Sequence, residues 1–560
     1  MSSPLSPTAR GANRSGVKVR RIFVSILVAS LVLYAAPNRV KADDGDLDKS
    51  FGTGGKVITD FSGGEDEATA VAIQRDGKIV AAGSTIKAIV GAKRDFALAR
   101  YNIDGTLDTN FGSGGKVATD FGNADIALAV AIQPDGKIIA AGKAFKVGKT
   151  AIDTGNYFAV ARHNSDGSLD TTFGSGGKVI GDLGVADALA IQADGKIVAA
   201  GAGLTESQFP TPAFVVVRYN IDGSLDTSFG ESGKVTTEFF PGNTVVGGGG
   251  NSARDVVIQA DGKIVAAGST YNPVAMRTNY AVARYNSDGS LDTSFGLGGK
   301  VTSPILDDSY AIRLTIQSDN RIVVAGSALS RSGTATVFAV ARYNSDGSLD
   351  SSFGSAGRAT DDFFGIGSIV RAVAFTADGD IVAAGSVPRG SKGFDFAVAR
   401  YNPDGILDTR FGGGGKVITE LSKDEDDDVN AVAIQADGQV VAVGATESGS
   451  DFALARYNTE VDFSLSFEPA TINAERGTTV PVTFQITRKG GFWGNITIAH
   501  SDTSALKIRV KPDSLSTTAA TVRFKLKIKD GAPTGQQQVT FTGKSDSGLE
   551  RTTTLGLVIR

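Results

Sequence analysis

Short apolar runs rich in Val, Ile and Ala alternate along most of the chain with polar segments dominated by Gly, Asp and Asn. In the first such unit the runs lie near Lys56–Phe61, Thr69–Gln74, Lys78–Gly83 and Asp95–Asn102, which predicts four short strands. The middle runs, Ala-Val-Ala-Ile and Ile-Val-Ala-Ala, barely alternate. Strands buried on both faces have that signature, and small Ala side chains let neighbouring sheets approach closely. The Arg75-Asp76-Gly77 link predicts a tight hairpin in which Gly supplies a positive φ. Asn102-Ile103-Asp104-Gly105 predicts a second turn, its Asn and Asp side chains able to bond nearby backbone N–H groups.

This unit recurs. Leu-Asp-x-x-Phe-Gly-x-x-Gly-Lys-Val returns with Phe at 51, 111, 173, 229, 295, 353 and 411, a period of 56–66 residues. Seven copies at that spacing indicate a propeller or another repeat array. From the fourth-run Arg to the next Phe is 11 residues in all six cases, and from the second-run Gln (Thr376 in the sixth unit) to the Gly closing the third run is nine in all seven. By contrast, Phe to that Gln varies from 19 to 30 residues, and that Gly to the fourth-run aromatic from 8 to 16. In an antiparallel meander alternate connections share an end, so all length variation falls on one face of the disc. Variable loops on a rigid scaffold are where binding usually sits. The segments concerned include 84–94, 143–157, 202–213, 238–253, 302–309, 386–395 and 420–430.

The runs Asp-Gly-Ser-Leu-Asp-Thr-Ser-Phe-Gly, Ile-Gln-Ala-Asp-Gly-Lys-Ile-Val-Ala-Ala-Gly and Phe-Ala-Val-Ala-Arg-Tyr-Asn resemble bacterial delta-60 repeats. The resemblance implies a β-propeller in an exported bacterial protein; it implies no activity. The sixth copy departs most, with Phe375-Thr376-Ala377-Asp378-Gly379-Asp380 and Arg358, and His163 replaces the Tyr of Arg-Tyr-Asn in the second. Residues 461–560 are different: about seven strands within 100 residues suggest a sandwich, and the stretch resembles immunoglobulin-like modules of secreted bacterial proteins. The expected fold is therefore all-β. A signal peptide at 1–42 precedes a seven-bladed β-propeller at 43–460 and an immunoglobulin-like β-sandwich at 461–560.

The leader expectation rests on basic residues through Arg20-Arg21, a largely apolar run Ile22–Ala36 and small residues at Val40-Lys41-Ala42, with cleavage expected after Ala42. The apolar run is shorter than the roughly 20 residues needed to span a bilayer, so no transmembrane span is expected in the mature chain. Residues 1–42 carry net charge +7 and 461–560 carry +5, which leaves −16 on 43–460. An acidic body of that size repels nucleic-acid phosphates and argues against such a partner. Cysteine is absent, which removes disulfides, thiol nucleophiles and Cys-ligated zinc. Only His163 and His500 are available for imidazole chemistry.

Several features invite chemistry. The repeated Asn-x-Asp-Gly-x-Leu-Asp aligns loosely with a calcium loop, but Arg100 and Phe111 fall where the first ligand and the bidentate Glu belong, so a structural turn is the better reading. Arg100, Arg162, Arg218, Arg284, Arg342, Arg400 and Arg456 recur once per unit with Asp48, Asp108, Asp170, Asp226, Asp292, Asp350 and Asp408. A device repeated seven times is expected to be architectural, each guanidinium bonded to carboxylates or carbonyls. The acidic run Asp424–Asp428 and the Gly247–Gly250 run read as solvated and flexible loops, and Trp493 and His500 as packing and surface residues. Basic and apolar residues alternate in Lys507–Lys511 and Arg523–Lys529, placing the bases on one face of a sheet, either simply solvated or facing an anionic polymer.

No catalytic, cofactor-binding or metal site is expected, and the chain is expected not to be an enzyme. The expected function is that of an exported or cell-surface binding scaffold for a protein or glycan, held on the variable loop face. The alternative is an extracellular propeller hydrolase or lyase acting on a polymer. A cluster of non-repeated Asp, Glu, Arg or Tyr at the channel mouth would favour the enzyme; uniform channel residues would favour the scaffold.

Overall fold

A computed structural model describes residues 44–61, 63–86, 93–148, 154–205, 211–241, 251–317, 319–329, 336–362, 368–390, 393–423, 425–446, 451–459, 462–489, 495–545 and 550–560. The expected leader, the Gly247–Gly250 run, Asp424 and Trp493 lie outside these residues. Among the described residues no helix is long and apolar enough to cross a membrane.

The repeats build a seven-bladed β-propeller. Blade one pairs Asp66–Ile73, Ile79–Ile86, Arg94–Tyr101 and Lys116–Thr119 in that order, all antiparallel. The short Lys116–Thr119 strand follows the second repeat's Phe-Gly, so each blade takes its last strand from the next repeat. This corrects the sequence reading, which grouped each short strand with the three that follow it. The correction leaves the faces unchanged: the fixed Asp-Gly turn and the fixed Arg-to-Phe link still share one end of the blade, and both variable connections share the other.

Blade seven has no following repeat. Its strands Asp428–Ile434, Val440–Thr446 and Asp451–Tyr457 are completed by the N-terminal strand Lys56–Thr59, in register Lys56↔Ala455 through Thr59↔Phe452. Backbone bonds from Gly45 N to Asn458 O and from Asp48 N to Arg456 O extend the seam. Across it, Ala68, Ile79 and Ala81 of blade one pack with Val441, Val443 and Leu454 of blade seven, and the ring is closed. Blades two and three share one strand, Lys178–Ile191, so their sheets merge into seven strands. Their connection is the shortest of the set, 19 residues from Phe173 to Gln192, too short for a separate turn.

The first strand of every blade carries a β-bulge, between Ala68 and Ala70 in blade one and at the matching place in the other six. A bulge leaves one residue unpaired and bends the strand. Opposite each bulge lies the Gly that closes the third run. A Cβ on Gly83, Gly142, Gly201, Gly268, Gly326, Gly385 or Gly444 would come within 1.8–2.1 Å of a first-strand carbonyl oxygen. The invariance of this Gly across seven repeats is thus steric: the backbones approach too closely for any side chain.

The C-terminal residues form two sheets. One orders Asp462–Phe467, Thr479–Lys489, Thr521–Ile528 and Ile508–Lys511; the other orders Thr471–Ala474, Glu550–Ile559, Gly535–Ser545, Ile496–His500 and Ser514–Thr517. Residues of both sheets share one buried core, with Phe484, Phe524 and Phe541 fully covered. The four-residue strands Thr471–Ala474 and Ser514–Thr517 escaped the sequence reading because they are too short to show alternation.

Gly268→Ala is expected to destabilise the propeller by about 2–4 kcal/mol, the range of steric clashes in packed interiors. Gly298→Ala, where a Cβ meets nothing within 4 Å, bears only the positive-φ cost of about 1 kcal/mol. Thermal denaturation of the two variants checks this; equal losses would remove the steric explanation.

Candidate functional site

The bulges decide what faces the channel. The unpaired residue in blades one to seven is Thr69, Leu128, Asp187, Arg254, Ile312, Arg371 and Asn430, and all seven line a single cavity of about 520 Å³. The first strands therefore ring the axis. Glu67, Ser252, Tyr310 and Arg313 add to the polar lining. Ser269 and Ser327, just beyond Gly268 and Gly326 on the side of the variable connections, place the cavity toward the variable face.

The polar groups are organised. Arg254 Nη1 pairs with Asp187 Oδ1 at 3.1 Å, and Ser252 Oγ donates to Asp187 Oδ2 at 2.9 Å. Burial raises the Asp187 carboxyl above its ordinary range, against the pull of Arg254, Ser252, Arg313 and Lys143. Arg313 Nη1 donates to the carbonyls of Arg254, at 3.3 Å, and of its own neighbour Ile312, at 3.1 Å. Among the described residues neither Arg313 nor Lys143 forms an ion pair with a carboxylate. Asn430 Nδ2 donates to Glu67 Oε1 and to Ala68 O, both at 3.1 Å. Arg371 lies 3.8 Å from Asp428 and stays 40% exposed.

The residue after the bulge is Ala in five blades but Asp255 and Arg313 in blades four and five. Asp255 Oδ2 accepts the Leu314 N–H of the next blade at 2.8 Å, so this departure also locks two blades together. Sequence reasoning missed the whole cluster. Its signal was present: the residue between the two small or apolar positions of this strand, Ala-x-Ala in three repeats, varies between apolar, acidic, basic and amide side chains from one repeat to the next.

The seven repeated arginines lie elsewhere. Each Nε donates to the Oδ2 of its link aspartate at 2.7–3.0 Å, Asp48 serving Arg456 across the seam. Each guanidinium also lies 4.5–4.9 Å from the centroid of the repeat Phe. Arg100, Arg162, Arg218, Arg284 and Arg456 reach further, to a carbonyl in the Asp-Gly turn of the next blade, and Arg400 reaches the Asp44 carboxylate instead. Burial opposes ionisation of the aspartates, yet lysine, hydroxyl and guanidinium partners outweigh it and hold Asp108 and Asp292 below the usual range. These groups tie blade to blade on the face opposite the cavity.

His163 is fully buried, with Nε2 3.0 Å from Thr119 Oγ1. Its position is taken by Tyr in the other blades, as in Tyr101 donating to Thr59 at 3.0 Å. Burial alone lowers the His163 pKa to about 4. In the tail, Arg509 stands opposite Lys527 and Lys511 opposite Lys525, exposed like-charge pairs on one sheet face. His500 Nδ1 lies 2.7 Å from Ser501 O.

Seven stretches of the chain, residues 74–111, 133–173, 192–229, 259–295, 317–353, 376–411 and 435–460, match the family described as "Domain of unknown function (DUF5122) beta-propeller". The chain is a seven-repeat β-propeller protein. No curated protein matches it. Solved structures similar in fold include a polysaccharide lyase, PL25-Ulvanlyase bound to -[GlcA(1-4)Rha3S]-, at 12% identity and TM-score 0.41, covering 72% of this chain and 96% of that one. A GH43_12 protein retrieved from capybara gut metagenome is similar at 10% identity and TM-score 0.27, covering 90% and 91%. The expectation that this chain is not an enzyme is corrected accordingly, since propellers similar to it include a lyase. At these values the likeness concerns fold only.

An imidazole with a depressed folded-state pKa favours the folded state above the unfolded value near 6.5, and that stability is lost as pH falls from there toward 4. His163→Tyr is therefore expected to remove part of the acid sensitivity, up to about 3 kcal/mol between pH 7 and pH 4. Urea titrations at both pH values check it; an unchanged difference would mean that His163 does not titrate on unfolding.

Proposed function

We propose that the propeller is an exported or cell-surface receptor that holds a segment of an acidic glycan at the variable-face end of its channel. One observation carries the reading: in an otherwise uniform repeat, the channel positions vary in chemistry from blade to blade, and Arg254, Arg313 and Arg371 gather there with fewer carboxylates, Glu67 and Asp187, to balance them. Arg313 bonds only carbonyls, so its fork remains able to receive a carboxylate or sulfate. The basic sheet face of the immunoglobulin-like tail supports the same class of partner. Like charges set directly opposite one another destabilise a sheet, and an anionic polymer laid across them would relieve the repulsion. Export is supported by the basic and then apolar run before residue 43.

The same non-repeated cluster, Glu67, Asp187, Arg254, Tyr310 and Arg371 at the channel mouth, meets the criterion set above for an enzyme and favours a second reading, chemistry on the bound chain. A carboxyl buried beside Arg254 with its pKa raised is suited to taking or giving a proton. Tyr310 lines the same cavity.

Oligogalacturonate and dextran sulfate, with neutral dextran as control, test the receptor. Each lost charged hydrogen bond costs about 1.5–3 kcal/mol, so Arg254→Ala with Arg313→Ala is expected to weaken anion binding at least tenfold while the melting temperature holds. Full affinity in that double variant would overturn the proposal. If fragments of the polymer appear over time and Asp187→Asn stops them, the second reading stands.

A further inference from the structure

At every blade joint the short last strand of one blade faces the Tyr or His that ends the third strand of the next. The fourth residue of the short strand answers the polar atom of that ring. Tyr101 donates to Thr59 at 3.0 Å, Tyr401 to Asp361 at 3.1 Å and Tyr457 to Thr419 at 3.0 Å. His163 lies 3.0 Å from Thr119, and Tyr285 2.8 Å from Thr237. Tyr343 falls short of such a bond, but Ser303 fills the place beside it. Between blades two and three, on the fused strand Lys178–Ile191, the place belongs to Gly181. Tyr219 is only 1% exposed there, and its hydroxyl is buried with no hydrogen-bond partner.

The space that a side chain would fill stays open. A cavity of about 300 Å³ lies at this joint, with Phe158, Val215, Val217 and Tyr219 as its buried wall and Gly181 and Leu183 at its edge. A Cβ on Gly181 would stand 3.2 Å from the Tyr219 hydroxyl and 3.3 Å from Phe158 Cβ. The hydroxyl thus borders the void that the glycine leaves. Phe96 and Phe214, which match Phe158, are each covered by a second ring, Phe121 and Phe239, at 4.8 Å. The fused strand carries Leu183 at that position instead. At the mouth, Leu204 and Leu225 are 46% and 45% exposed. Of the seven link leucines, Leu225 alone is exposed.

A hydroxyl set in an apolar wall is costly without a partner. Water alone fills such a space poorly. About ten molecules would fit at roughly 30 Å³ each, every one seeking about three polar partners, and the side chains of the buried wall offer one hydroxyl. An apolar body with a single acceptor suits the wall better. Charge at the mouth narrows the choice further: Asp182 and Glu231 outnumber Lys234, which pairs with Asp182 at 2.9 Å, so an anion is disfavoured.

We propose that this cavity is a binding site for a small uncharged organic molecule, an apolar ring bearing one carbonyl or ether oxygen. The oxygen accepts the Tyr219 hydroxyl in place of the side chain that Gly181 lacks, and the ring lies against Phe158, Val215 and Val217. The volume falls at the lower end of the range that holds small-molecule ligands, about 300–1,000 Å³. This site shares no lining residue with the channel cavity, so it stands apart from the glycan reading.

Isothermal titration of the full chain with acetophenone, and with α-methylstyrene as the isostere that lacks the acceptor oxygen, tests the site. Acetophenone is expected to bind at millimolar concentration or below, and α-methylstyrene about threefold to tenfold more weakly, the worth of one neutral hydrogen bond. Tyr219→Phe should fold and erase that difference. Gly181→Thr restores the residue found at 59, 119, 237 and 419; it should give Tyr219 a partner, raise the melting temperature and abolish binding. Should Gly181→Thr fail to fold, Tyr219→Phe decides alone. No binding at millimolar acetophenone, or a preference for acetophenone that survives Tyr219→Phe, would overturn the proposal.

Discussion

One extra residue on the first strand of each blade, set against a glycine on the second, is the constraint from which the rest of the propeller follows. The bulge turns a side chain out of the ladder and toward the axis, and the facing Gly backbone alone leaves room for the carbonyl this displaces. Repeated seven times, that device builds a channel wall whose backbone is uniform and whose side chains can vary without disturbing the sheets behind them. Thr69, Leu128, Asp187, Arg254, Ile312, Arg371 and Asn430 show the result: hydroxyl, aliphatic, acidic, basic and amide side chains on one geometry.

The two faces of the disc divide the work. On one, the guanidinium, aspartate and phenyl ring of each repeat meet in the same way seven times, and five of the arginines also reach a carbonyl in the turn of the next blade. Such buried, fully bonded groups favour a single arrangement, because removing one partner strands the other. On the other face the connections differ in length and the channel opens among unlike residues. Structural uniformity and functional difference are thus kept at opposite ends of the same strands.

Much of this was readable in the chain. Seven Phe-Gly repeats fixed the number of blades, and the invariant 11- and nine-residue spacings against the variable ones separated the faces. The phase of the blade was not readable, since a four-residue strand such as Lys56–Thr59 pairs equally well in principle with what precedes or follows it, and ring closure decides. The fused strand Lys178–Ile191 was hidden because Gly181 and Gly184 look like a turn. The channel cluster was missed because a bulge breaks the two-residue alternation on which inward and outward residues are told apart.

The absence of cysteine makes the central claim, that bulge residues of distant blades face one another across a single cavity, open to a direct measurement. Leu128→Cys in blade two with Ile312→Cys in blade five should be joined within one chain by a short bis-maleimide, as read by mass spectrometry of the digested protein. The account predicts a high yield of that intramolecular bridge and none when Ile312→Cys is replaced by Ser345→Cys, in an Asp-Gly turn on the opposite face. Single labelling at both Leu128→Cys and Ile312→Cys without a bridge between them would contradict it.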